Sequence, residues 1–168
     1  TRARPDPARV QYLRDPVFVA VVERVQPDKG DPYTPEVHLL ENYLKEYFRR
    51  SGHPVASSAE AAVYRVDCDF HAKFHSTLKI LGKVSAWKYT GSATLRVLDR
   101  NGVELELHEV PELSQENVKS DESAVLNLRR HMAKLLWDKI VSTGKVFASP
   151  EVLALLGSLA SQPEDTEA

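Results

Sequence analysis

The 168 residues suit one folded domain with its own core. Apolar side chains make up 42% and charged ones 27%, and 22 basic against 24 acidic residues leave a net charge of −2. No block of like charge stands out and the basic residues do not interleave with aromatics, which argues against nucleic acid as the main partner. No run approaches the roughly 18 apolar residues of a membrane span. Cys68 is the only cysteine and makes no intramolecular disulfide. The chain opens TRARPDP and its only methionine is Met132, so the expectation is a processed or trimmed chain, from which a leader or lipid-anchoring cysteine would be lost to view.

Residues 1–16, with three prolines and four arginines, read as an extended lead-in. VFVAVVERV (17–25) has the pattern of a strand buried on both faces. After the loop QPDKGDPY, Thr34 reads as an N-cap with Pro35 and Glu36 in the first turn. Val37, Leu40, Leu44, Tyr47 and Phe48 form the apolar stripe of that helix, and Ser51-Gly52 followed by Pro54 ends it.

From Ala61 the period changes to two. Ala62, Tyr64, Val66, Cys68, Phe70, Ala72 and Phe74 share one face, and Arg65, Asp67, Asp69, His71, Lys73 and His75 share the other. Residues 76–85, STLKILGKVS, read as a less regular connection containing Gly82. A strand follows from about Ala86 to Leu98, DRNG (99–102) makes a hairpin turn, and VELELHEV (103–110) returns until Pro111 ends it. Val103, Leu105 and Leu107 alternate there with Glu104, Glu106 and His108.

Ser120 caps a second long helix with Asp121 and Glu122 in its first turn; Val125, Leu128, Met132, Leu135, Leu136 and Ile140 make its stripe, and Lys139 and Gly144 mark its end. Ser149-Pro150-Glu151 opens a short third helix to about Leu159, and residues 161–168 form a polar, disordered tail. The order β-α-β-β-β-α predicts an α+β two-layer sandwich over residues 17–160: a four-stranded mixed sheet with both long helices on one face, plus the short C-terminal helix.

The stretch YRVDCDFHAKFH (64–75) gathers two aspartates, two histidines, a lysine and the cysteine. On one extended strand His71 and His75 lie about 13 Å apart, too far to share an ion bound at about 2 Å. Asp69 and His71 would need a third ligand from a neighbouring strand, for which His108 is the candidate, and Lys73 opposes a cation. The polar row Asp67, Asp69, His71, Lys73 and His75 therefore reads as a solvated sheet face, with a binding surface as the alternative and no metal assigned. Cys68 belongs to the apolar row and reads as a small core residue. Arg129, Arg130 and His131 read as solvated residues on a helix rim.

Two features point to an interface. LKILGKV (78–84) is apolar with two lysines, and where its strands outrun the helices it forms an exposed amphipathic tip for an apolar partner or lipid; burial in the core is the alternative. Trp87 and Tyr89 flank Lys88 nearby, an aromatic anchor pattern.

The segments VFVAVVERV, TPEVHLLENYLKEYFRRSG, AAVYRVDCDF, WKYTGSATLRVLDRNGVELEL and SDESAVLNLRRHMAKLLWDKIV, in that order over about residues 17–141, resemble the LptE-like small outer-membrane lipoproteins. They are similar in layout to the CsgG-like and LpoB-like groups as well. The resemblance implies an envelope protein on the periplasmic side of the outer membrane, tethered by a lipid on an N-terminal cysteine, without cofactor or catalysis. It further implies that the tip (Leu78, Lys79, Ile80, Leu81 and Lys83, with Trp87 and Tyr89 behind it) meets a membrane β-barrel, an envelope complex or lipopolysaccharide, with Lys79 and Lys83 on phosphates. The rival expectation is a small enzyme or ligand-binding module using Asp67, Asp69 and His71.

Overall fold

The computed structural model describes residues 14–117 and 119–147. Most of the lead-in, the third helix after Ser149 and the tail 161–168 lie outside the described residues. The sheet runs in the order β1 (Val17–Gln26), β2 (Tyr64–Ile80), β3 (Lys83–Leu98), β4 (Glu104–Asn117). β1 pairs parallel to β2, and the remaining pairs are antiparallel. Helix α1 (Leu39–Arg50) crosses from β1 to β2 and packs on β1; α2 (Asp121–Ser142) packs on β3, β4 and α1. The fold is α+β, a four-stranded mixed open sheet with two helices.

Period-two patterning sets which face of β2 is covered. Val66, Cys68, Phe70 and Ala72 are buried beneath the helices, while Arg65, Asp69, His71 and Lys73 stand exposed on the open face. The helices answer with Leu40, Leu44 and Phe48 from α1 and Leu128, Met132, Leu136 and Ile140 from α2. Trp137 joins the two stripes: it stacks on Tyr47 at 5.5 Å and meets Phe48 edge-on at 5.0 Å.

The chain departs from its sequence pattern at four points, each with a local cause. β1 is an edge strand with one open face, so it alternates: Val17, Val19, Val21 and Val25 are buried, whereas Val22 is exposed. The first helix starts at Leu39 and not at Thr34–Pro35, with no side-chain cap at His38. Tyr33 holds the preceding segment extended by exchanging both backbone hydrogen bonds with Val25, and Val37 is left exposed and outside the stripe. Residues 76–85 are no irregular connection: β2 and β3 continue to a two-residue turn at Leu81-Gly82, both at positive φ (53° and 80°). β4 runs through Pro111, because the register slips between Gly91 and Ala93 opposite it and an edge strand needs no outward N–H there.

Arg129 also departs from the rim reading. It is buried, its Nε donates to Glu23 Oε1 at 2.6 Å and its Nη2 donates to the Val37 carbonyl. Glu23 lies in the buried row of β1, so the pair ties the sheet to α2 and to the segment entering α1. Removing one partner strands the other charge in the core. Arg129→Ala is expected to destabilise the fold by about 3–5 kcal/mol, and Glu23→Leu with Arg129→Met to recover most of that loss. Urea denaturation of the two variants checks this; equal destabilisation by both contradicts it.

Candidate functional site

On the open face the polar row is present but loosely organised. Asp67 Oδ1 accepts from Arg65 Nε at 2.7 Å, and Arg65 lies 5.8 Å over the Phe18 ring. Asp69 and His71 border a shallow depression of about 260 Å³ with Ser92, Thr94 and Arg96. His75 shares a hydrogen bond with Ser76 Oγ. His108 does not join them. It pairs across from Leu95, which pairs with Cys68 on the helix-covered face, while Asp69 pairs with Thr94 on the other. Among the described residues no three His, Cys, Asp or Glu side chains gather around one point suited to a metal ion. Cys68 is buried, and burial pushes its thiol up to about 12, aided by the Asp69 and Glu23 charges; a thiol so disfavoured as thiolate is a poor nucleophile.

The β2–β3 hairpin is a different kind of feature. β1 ends opposite Lys73, and the last β4 pairing is Asn117 with Trp87. β4 follows β3 as far as Trp87, opposite Thr77, so β2 and β3 have only each other from Leu78 to the turn, over a length of about 10 Å. Ile80 sits opposite Lys83 and Lys79 opposite Val84, so each of these pairs sets an aliphatic side chain beside an ammonium. Leu78, Ile80 and Val84 are exposed, and Leu81 at the turn is 98% exposed. Trp87 sits half-buried at the root of this arm, opposite Thr77 and against the core. Tyr89 belongs to the core: it is fully buried, and its hydroxyl donates to Asp121 Oδ1 at 2.8 Å. It is therefore no surface anchor.

Charge is distributed in a way that totals hide. From Phe70 to Leu98 the chain carries Lys73, Lys79, Lys83, Lys88 and Arg96 and no Asp or Glu, so the remaining 17 basic residues share the rest of the chain with all 24 acidic ones. β4 is the counterpart, with five glutamates and no lysine or arginine. It also turns its alternation the unexpected way: Glu106 and His108 face the helices, while Val103, Leu105 and Leu107 are exposed. Glu106 accepts from the backbone N–H groups of Lys145 and Val146 and lies 3.1 Å from His108 Nε2. That contact needs Gly144, where a Cβ would fall 2.5 Å from a Glu106 oxygen. The inward Glu106, the buried Arg129 and the outward leucines escaped the sequence reading, since alternation alone does not say which row faces in.

A groove of about 660 Å³ lies between residues 33–39 and the first turns of α2, with Val37, Val125, Leu126 and Arg129 among its walls.

No protein-family model and no curated protein matches the chain. Among solved structures it is similar to a minor lipoprotein from Acinetobacter baumannii, at 12% identity and a TM-score of 0.51, covering 76% of this chain and 93% of the other. It is similar too to a protein from Xanthomonas campestris, at 15% identity and a TM-score of 0.47 over 99% and 96% of the two chains. A third is the rare lipoprotein B from Shewanella oneidensis, at 16% identity and a TM-score of 0.35 over 90% and 99%. The first of these shares the fold.

Burial of Glu106 opposes its charge, but the two backbone donors and His108 outweigh it and hold the carboxyl below its ordinary 4.5. A carboxyl lowered on folding adds stability that is present above 4.5 and is lost as pH falls through its folded value. Urea midpoints measured from pH 6 down to pH 3 are expected to fall less steeply in Glu106→Gln than in the parent chain; parallel curves contradict the assignment.

Proposed function

We propose that this chain is a non-catalytic interaction module of the bacterial cell envelope, LptE-like in build, whose β2–β3 arm docks with a membrane β-barrel or envelope complex. The observation that carries this reading is Leu81. A two-residue hairpin turn with both residues at positive φ favours Asn-Gly, because a Cβ is disfavoured there. The chain instead places a leucine at φ 53° and leaves it almost wholly in water. Neither local backbone preference nor solubility favours that choice, and a site that breaks a local rule is a mark of function. Leu78, Ile80 and Val84 extend the apolar surface, and Lys79 and Lys83 give it the charge to meet phosphates of lipid or lipopolysaccharide.

The fold shared with the Acinetobacter lipoprotein supports an envelope setting, and with it a lipid anchor on a cysteine upstream of Thr1, holding the module at the periplasmic side of the outer membrane. The rival reading, an enzyme or ligand-binding module built on Asp67, Asp69 and His71, has less behind it: Asp67 is already paired to Arg65, and the depression beside Asp69 is small and open.

A photoreactive residue in place of Leu81 is expected to crosslink an envelope protein in intact cells. Leu78→Asp with Ile80→Asp should lower that crosslink more than tenfold while the circular dichroism spectrum stays unchanged. Undiminished crosslinking by a folded double variant would sink the arm as the docking element.

A further inference from the structure

The groove between residues 33–39 and the first turns of α2 holds about 660 Å³, a size that takes a drug-sized ligand. Its apolar wall is aliphatic: Val37 and Leu126 line it at 62% and 38% exposure, with the buried Val125 beside them. Arg129 lines the groove too, although only 6% of its surface reaches solvent. Its Nε and Nη2 are engaged by Glu23 and the Val37 carbonyl, while Nη1 has no hydrogen-bond partner among the described residues. Nη1 is not sealed from water, since the buried side-chain atoms without partners there are Glu23 Oε2 and His53 Nε2. The groove is where its N–H donors open outward. The charge of this guanidinium is already answered by Glu23, so it offers a donor with little net charge. Charge at the mouth comes from Glu36 and Glu122, both exposed and without an ion-pair partner among the described residues.

We propose that this groove binds a singly acylated amine. The aliphatic chain lies along Val37, Val125 and Leu126, an amide or ester carbonyl accepts from Arg129 Nη1, and the ammonium group meets Glu36 and Glu122 at the mouth. Each part of the ligand answers one feature of the groove. The apolar wall gains by removal from water. A plain hydrocarbon would strip Nη1 of water and leave a donor unpaired, which is the costly way to cover a polar group. A carboxylate or phosphate in place of the ammonium would meet two carboxylates, with no free positive charge to offset them. The site is independent of the arm, since it uses no residue of β2 or β3.

The probe is the monoamide of dodecanoic acid with ethylenediamine, kept below its micellar concentration. Calorimetric titration of the full chain is expected to show submillimolar binding, weakening as salt rises. Dodecanoylglycine keeps the chain and carbonyl and carries a carboxylate; tetradecylamine keeps chain and ammonium and has no carbonyl. Each should bind more than tenfold more weakly. Guanidinium proton resonances of Arg129 should shift with the amide and not with tetradecylamine. Glu36→Lys with Glu122→Gln should reverse the preference between the amide and dodecanoylglycine, and Val37→Asn with Leu126→Asn should weaken the amide more than fivefold, both with an unchanged circular dichroism spectrum. The proposal is overturned by no binding of the amide, by equal binding of dodecanoylglycine, or by Arg129 resonances that ignore the amide. An unchanged preference in the folded Glu36 and Glu122 variant, or undiminished binding in the folded Val37 and Leu126 variant, overturns it equally.

Discussion

Unequal strand lengths govern this molecule. β2 and β3 have 17 and 16 residues, while β1 has 10, and both helices lie on one face. At about 3.3 Å per residue the central ladder outruns β1 by about 23 Å. Where four strands stand together, the helices bury the apolar row from Val66 to Ala72. Where only two remain, Ala86 is the last buried residue, residues 78–84 stand exposed, and the hairpin leaves the body as an arm. A two-stranded ribbon is marginal in water by itself; this one is anchored at its root by Phe74, Trp87 and the buried Tyr89, with Phe74 and Tyr89 edge to face at 5.6 Å.

Electrostatics follow the same division. From Phe70 to Leu98 the hairpin carries basic charge alone and β4 is acidic, and the two are joined where Arg96 meets Glu104 at 3.1 Å. The net charge of −2 conceals a molecule with a cationic arm on a body of opposite sign. Inside, polar groups serve connection. Glu23 and Arg129 link the sheet to α2, and Glu106 holds the chain that follows α2 against β4. The surface features that distinguish the chain are apolar side chains placed in water at two ends: Leu81 with its neighbours on the arm, and Leu105 with Leu107 on the open edge.

Fold class, the order of elements along the chain and the covered face of β2 were legible because period-two alternation over Ala62–Phe74 is long and each helix carries one stripe. What stayed hidden depends on contacts far apart in sequence. The start of α1 is set by Tyr33 pairing with Val25, and the continuation of β4 through Pro111 by its place at an edge. The Leu81-Gly82 turn lacks the Asn-Gly signature that marks a hairpin, so the arm read as a loop although its tip residues stood out as amphipathic. In β4 the glutamates looked outward by residue type, yet Glu106 points in because backbone N–H groups at Lys145 and Val146 await it there. Tyr89 had the look of an anchor beside Trp87 and is instead core, two residues further along β3 than the half-buried Trp87.

A docking arm must stand clear of the body that carries it. A soluble gadolinium chelate added to methyl-labelled protein reports which methyl groups water reaches. Leu78, Ile80 and Leu81 should relax strongly, while Val66, Leu95 and Leu136 stay unaffected. Methyl groups of Leu78 and Ile80 as protected as those of Leu95, in a monomeric sample, would contradict it.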